Sequence, residues 1–343
     1  VRNRYLTTSM MGLIWCLCSV LHAADVTMLA IQGRNMTAGQ AAAVEKQIKD
    51  NPQDVDARAK LLGYYFAKQF TDAAARKAKQ ENILWLIENE PQAKILATPF
   101  GQMDAILDGE SYTRGKQAWE KQLKAQPNNL TLLDHAAKYF LLPDRERAKQ
   151  LLEKAQKIDA ENPEWARELG QLYSLDMQGS SSLKAKKAAA AKALEQLEIA
   201  YRLSTDIAKD TLLSNLAQSA QVAGDTEKAK QYAKQMLNQV GSDWNSGNKV
   251  HYANITLGKI ALADGNIEAA NQFLIKAGKT KGSPQLNSFG PDFSLAKALL
   301  EKEQNKVVLE YLDLCGNFWV LGKDRLAQWS KAINDNQIPK TLR

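Results

Sequence analysis

Three stretches of this 343-residue chain share one set of intervals. Ala217 is followed after twelve residues by Ala229, and after four more by Ala233. Gly258 leads to Ala270, Leu274 and Ala277 at steps of twelve, four and three, and Ala296 leads to Val308, Leu312 and Cys315 at the same steps. Steps of four and three return a side chain to the same face of an α-helix. A step of twelve fits passage along one helix, around a tight turn and onto a second. Small residues at both ends of that step let the two helices cross closely. Such a hairpin is too small to bury its own apolar face, so copies have to stack on one another.

Earlier copies extend the pattern. Leu133, Ala136, Ala137 and Phe140 mark one first helix, with Ala148, Leu151, Leu152 and Ala155 on its partner. Leu169-Gly170 and Tyr173 mark the next, 33 residues after Ala137. The Leu-Gly-x-x-Tyr core at a period of about 34 resembles the tetratricopeptide repeat. The resemblance covers residues 37–320 as architecture and is most specific from Leu133 to Cys315. It implies an all-α fold: a right-handed superhelix of antiparallel helix hairpins, closed by a C-terminal capping helix over Lys323–Asn334 with Leu326, Trp329 and Ile333 inward.

Around that solenoid the organisation reads as follows. Arg2 and Arg4 precede an apolar run from Met10 to Leu21 and the small residues Ala23-Ala24, the layout of a secretory signal peptide over residues 1–23. The run is too short to span a bilayer comfortably. The expected setting is export across the inner membrane to the periplasm or medium, with peripheral envelope association open. Residues 24–36 read as an irregular lead-in, 37–334 as one solenoid, and 335–343 as a tail. Thr37 and Gln40 have capping-box spacing at its first helix. Pro99, Gly101 and Gly109 predict an irregular insertion over 92–111, and Gly179 to Ser182 another over 178–183. The 47-residue step from Gly170 to Ala217 places added length at the second. Gly/Ser/Asn-rich stretches at Gly241–Asn248 and Gly278–Pro291 predict surface loops.

Composition narrows the function classes. The formal net charge is +7; without Arg2 and Arg4 it becomes +5, too mild and dispersed for a dedicated nucleic-acid protein. Cys16 and Cys18 lie in the apolar N-terminal run, leaving Cys315 as a lone buried thiol at a small-residue position. His135 and His251 have no His-Glu-x-x-His context, and no cysteine pair offers a zinc site, so no metal or cofactor is expected. Ser180 to Ser182 lack the elbow of a nucleophile. Scattered helix carboxylates define no acid/base pair, and an enzyme would need a site in the irregular segment Gln92–Glu110. Catalysis is therefore not expected. Trp319 and Trp329 read as helix-packing aromatics.

The resemblance also implies where a protein or peptide partner binds. First helices line the concave face, and their second, fifth and ninth positions project into it. Counting from the small residue at position eight gives Thr131, Asp134 and Lys138; Glu164, Arg167 and Gln171; Thr211, Ser214 and Gln218; Tyr252, Ile255 and Lys259; and Phe293 with Lys297. Of these, Asp134, Lys138, Arg167, Gln171, Ser214, Gln218, Tyr252, Lys259 and Lys297 are the expected binding residues for an extended peptide. The alternative is an anionic polymer or lipid head group held by Lys184, Lys186, Lys187 and Lys192.

Overall fold

The structure, a computed structural model, describes residues 26–241 and 243–342; the proposed signal peptide lies outside them. Every regular element among the described residues is helical, and the chain divides into two compact units at Ala160/Glu161. The first unit holds α1 (described over 26–34), α2 (Ala38–Asp50), α3 (Val55–Lys68), α4 (Ala73–Asn89), α5 (Gly109–Ala125), α6 (Leu130–Phe140) and α7 (Arg145–Ile158). The second holds α8 (Pro163–Gly179), α9 (Leu183–Leu203), α10 (Asp206–Ala223), α11 (Thr226–Asn238), α12 (Ser246–Ala263), α13 (Ile267–Gly278), α14 (Pro284–Phe289), α15 (Ser294–Leu300), α16 (Asn305–Gly316) and α17 (Lys323–Asn334).

Within each unit, helices pack chiefly on their neighbours in sequence, as in an α-solenoid. Side chains set the boundaries. Thr37 and Gln40 close a reciprocal capping box on α2. Asp54, Asp72, Asn129, Asp144, Asn162, Asp225 and Asn266 each accept an otherwise unpaired amide at a helix start. Gly224 ends α10 in the left-handed region, at φ 95°, where a side chain would be strained. The spaced small residues lie where close crossing needs them. A Cβ on Gly170 would meet the Leu197 side chain at 2.7 Å, and one on Gly258 would meet Leu295 at 2.3 Å. Ala217, Ala229, Ala233, Ala270, Ala277, Ala296 and Cys315 are all buried.

Four expectations about irregular segments are corrected. The lead-in over 24–36 is helical at 26–34, with Val26, Ala30 and Gly33 buried on one face. The α1 and α3 backbones approach so closely that a Cβ at Gly33 or Gly63 would strike the carbonyl of Lys60 or Ala30. The 178–183 insertion shrinks to a short bend, because the extra length enters the helices themselves, with 17 residues in α8 and 21 in α9. The loop expected at Gly278–Pro291 contains α14, started by the Ser283 hydroxyl accepting the Leu286 amide and anchored by buried Leu286. The 335–343 tail is also tied down: Leu342 enters the last core cluster and the Trp329 indole donates to Thr341 Oγ1. By contrast, 92–108 is irregular, with 3-10 turns at Lys94–Ala97 and Pro99–Gly101, and the expected insertion over 92–111 ends early because α5 starts at Gly109.

In the second unit α10 and α12 touch directly, whereas the second helices α9 and α11 have no comparable contact. At this step the first helices face each other, whereas at the next the second helices α13 and α16 are in closer contact than α12 and α15. α17 covers the final layer, with Leu326, Trp329 and Ile333 buried.

Candidate functional site

A cleft of about 490 Å³ opens over α10 and α12. From α10 it takes a polar stripe, Asp210, Thr211, Ser214, Gln218 and Gln221, and from α12 another, Asn248, Lys249, Tyr252, Thr256 and Lys259. Both stripes recur at three and four residues, so each is one helix face, while the opposite faces carry the alanines and leucines of the core. Gln285, Phe289 and Asp292 border it from α14 and the turn that follows. Trp244, just before α12, and Phe289 supply two large apolar surfaces, 61% and 86% exposed.

The walls are braced from behind. Lys249, only 4% exposed, reaches Asp210 Oδ2 at 2.8 Å and Asp243 Oδ2 at 3.5 Å, and donates to the Gln239 carbonyl at 2.9 Å. Lys259 Nζ lies 3.8 Å from Asp292 Oδ2. Asn248 donates to Asn245 and Gln285, and its carbonyl accepts the Ser283 hydroxyl at 2.7 Å, which locks α14 to α12. The Asp292 amide donates to His251 Nε2 at 2.9 Å, leaving Nδ1 to donate to the Ala277 carbonyl. Burial pushes the His251 imidazole down to about 4, so it is neutral at pH 7. Burial would push the Asp292 carboxyl up, but Lys259, the Ser294 hydroxyl and amide, and His251 together hold it below the usual range. Burial raises the Tyr252 phenol, helped by Asp292.

Chemically, the cleft is a neutral polar surface. Asp210 and Asp292 balance Lys249 and Lys259, carboxamides and hydroxyls fill the rest, and two aromatic faces stand open. Asp210 Oδ1 is buried without a hydrogen-bond partner, while its Oδ2 is held by Lys249. Among the described residues no three His, Cys, Asp or Glu side chains converge as metal ligands, and no helix is long and apolar enough to cross a membrane.

The expected binding residues divide. Ser214, Gln218, Tyr252 and Lys259 line this one cleft, as do Thr211 and Ile255. Arg167 and Gln171 on α8 do not: Arg167 is engaged by Glu164 and by Glu168 at 3.6 Å, and Gln171 is solvent-exposed elsewhere. Lys297 on α15 is exposed outside the cleft, and Phe293 is a core residue against Tyr311, Trp319 and Trp329. Asp134 and Lys138 belong to the first unit, where they pair across one turn of α6 at 2.6 Å. Lys184, Lys186, Lys187 and Lys192 lie on the first half of α9, on a regular helix. At 100° per residue Lys186 points away from the other three, so they make no single cationic face. Lys192 lies over the Tyr173 ring at 5.3 Å.

Sequence reasoning missed Asp210, Asn248 and Lys249, although each continues a stripe one turn toward its helix start. Trp244 and Phe289 carried no periodic signal, because one stands in a loop and the other on a helix read as loop. No protein-family model matches the chain, and comparison with curated proteins finds no relative.

Proposed function

We propose that the protein is a non-catalytic binding scaffold whose second unit holds an extended peptide segment of a protein partner in the α10/α12 cleft. The observation that carries this reading is the convergence of Ser214, Gln218, Tyr252 and Lys259, from two successive first helices, on one polar cleft with exposed aromatic surface. An extended peptide presents alternating amide donors and acceptors. Carboxamides and hydroxyls of the cleft wall, such as Gln218 and Ser214, answer both. Trp244 and Phe289 suit apolar peptide side chains. The polar stripes and stacked hairpins are what a tetratricopeptide-like repeat with first helices on its concave face would provide. The proposed setting, outside the cytoplasm, rests on the N-terminal sequence.

An array of random twelve-residue peptides probed with the protein should yield a set of binders. The paired substitution Ser214→Ala and Gln218→Ala should weaken them about tenfold, as expected for two neutral hydrogen bonds at roughly 0.5–1.5 kcal/mol each. Both side chains are partly exposed, so the fold should survive. Binding that is unchanged in this variant would remove the cleft as the site.

A further inference from the structure

The first unit contains a second cavity of different chemistry. It has a volume of about 460 Å³ and lies between the α3–α4 turn, the irregular 99–108 segment and the turn after α6. That size falls in the range of small-molecule pockets. Its walls are mostly apolar: Phe66, Phe70, Met103, Ile106, Leu107 and Leu142. Four of these are exposed, Ile106 at 91%, Leu142 at 75%, Phe70 at 72% and Leu107 at 49%. Large apolar side chains gathered around one cavity are a costly way to meet water and mark a binding surface.

Lys79 lines the same cavity and is 4% exposed. Its ammonium donates to Gln69 Oε1 at 3.1 Å and to the Gln102 carbonyl at 2.7 Å, and lies 5.5 Å from the centre of the Phe66 ring. Both acceptors are neutral, and two bonds leave one of its three N–H donors unused. Asp104, Asp108 and Arg76 also line the cavity, but the two carboxylates make their hydrogen bonds to groups other than the Lys79 amine. Asp108 accepts Gln80 Nε2 at 2.6 Å and the Asp104 amide at 2.8 Å, with Arg76 at 3.9 Å. Asp104 accepts the Ile106 and Leu107 amides. Asp108 and Asp104 act on Lys79 only through space, so a buried ammonium with neutral direct partners gains from an anion placed against it.

We propose that this cavity binds an aliphatic carboxylate, a medium-chain fatty acid, with its head group on Lys79 and its chain along Ile106, Leu107, Phe70 and Leu142. The head receives the unused N–H and, through its charge, relieves the buried ammonium. The chain covers the exposed apolar rim. Burial pushes the free Lys79 amine down to about 8, despite Asp108 and Asp104 pulling it up, so a bound anion should raise it again. This site is independent of the α10/α12 cleft, since all its residues lie in the first unit.

Titration calorimetry of the whole protein with hexanoate, octanoate and decanoate, each below its micelle concentration, tests the assignment. One ligand should bind per chain, and affinity should rise roughly fourfold for each added methylene buried, the equivalent of about 0.8 kcal/mol. Decanol and decyltrimethylammonium should bind at least tenfold more weakly than decanoate. Lys79→Met should lose that preference for the carboxylate. Ile106→Ser with Leu142→Ser, both at exposed positions, should flatten the chain-length dependence. If Lys79→Met does not fold, the head-group comparison on the unaltered protein decides alone. No binding of decanoate at millimolar concentration, equal binding of the three decyl compounds, or tighter binding of an apolar peptide ending in a free carboxylate would each overturn the proposal.

Discussion

His251 shows how much one side chain can hold in place behind the cleft. It is fully buried, its two ring nitrogens join the Ala277 carbonyl and the Asp292 amide, and it packs edge-on to Tyr252. The same burial makes it a point of acid sensitivity. Its folded-state pKa is about 4 against an ordinary value of 6.5, so the unfolded chain takes up the proton first. Its contribution is complete above pH 6.5 and is lost as pH falls from there through about 4. At 1.36 kcal/mol per unit, the loss is on the order of 3 kcal/mol. His135, lowered chiefly by burial in the first unit, works in the same direction. The denaturant midpoint should therefore drop between pH 7 and pH 4.5. His251→Gln, less stable overall, should show a smaller drop; an equal drop in both would assign the acid sensitivity elsewhere. Cys315 is the opposite kind of residue. Its thiol is pushed up to about 12 by burial, against a hydrogen bond with Tyr311 that pulls it down, and at neutral pH it is an inert packing group.

At the scale of elements, packing and capping account for each other. Helix starts are read by single Asp, Asn, Ser and Thr side chains, and helix crossings by alanines and glycines too small to hold neighbours apart. Ala229 on α11 is fully buried in a cluster with Leu213, Leu216 and Ala217 from α10. Replacing it with leucine adds volume where backbone and core side chains are already in contact. Overpacking of this kind costs roughly 1–3 kcal/mol, read as a lower denaturant midpoint with an unchanged slope. A midpoint equal to that of the unaltered protein would mean that the crossing is looser than its burial indicates. The same close approach fixes one edge of the cleft. A Cβ on Gly247 would lie 1.8 Å from the Gly282 carbonyl, and beside it Thr280 Oγ1 donates to the Gly247 carbonyl, so the start of α12 and the turn before α14 are held backbone to backbone. Asn248 and Gln285 reach the cleft from those two strips of chain.

At the scale of the whole molecule, each unit carries its own packing. The two apolar clusters that run from Ala166 to Ile260 and from Ile255 to Leu342 lie entirely in the second unit. A fragment of residues 161–343 should therefore fold alone, with a helical circular dichroism spectrum and cooperative thermal unfolding; a fragment without a cooperative transition would show that its stability depends on the first unit. Legible along the chain were the all-helical class, the hairpin unit, the crossing residues and six side chains of the cleft. Each follows from a 3.6-residue period or from a cap, and both are properties of neighbours along the chain. The sequence did not disclose that Arg167, Gln171 and Lys297 stand outside the cleft, because a family-wide count of helix positions assumes equal steps between layers. Here α9 is 21 residues long and α15 is 7. Nor did it disclose α14, the packed tail, or the buried amine of Lys79. Those were decided by tertiary structure. Leu286 and Leu342 are fixed by partners far away in sequence, and Lys79 owes its burial to a segment more than twenty residues on, whose path no local period encodes.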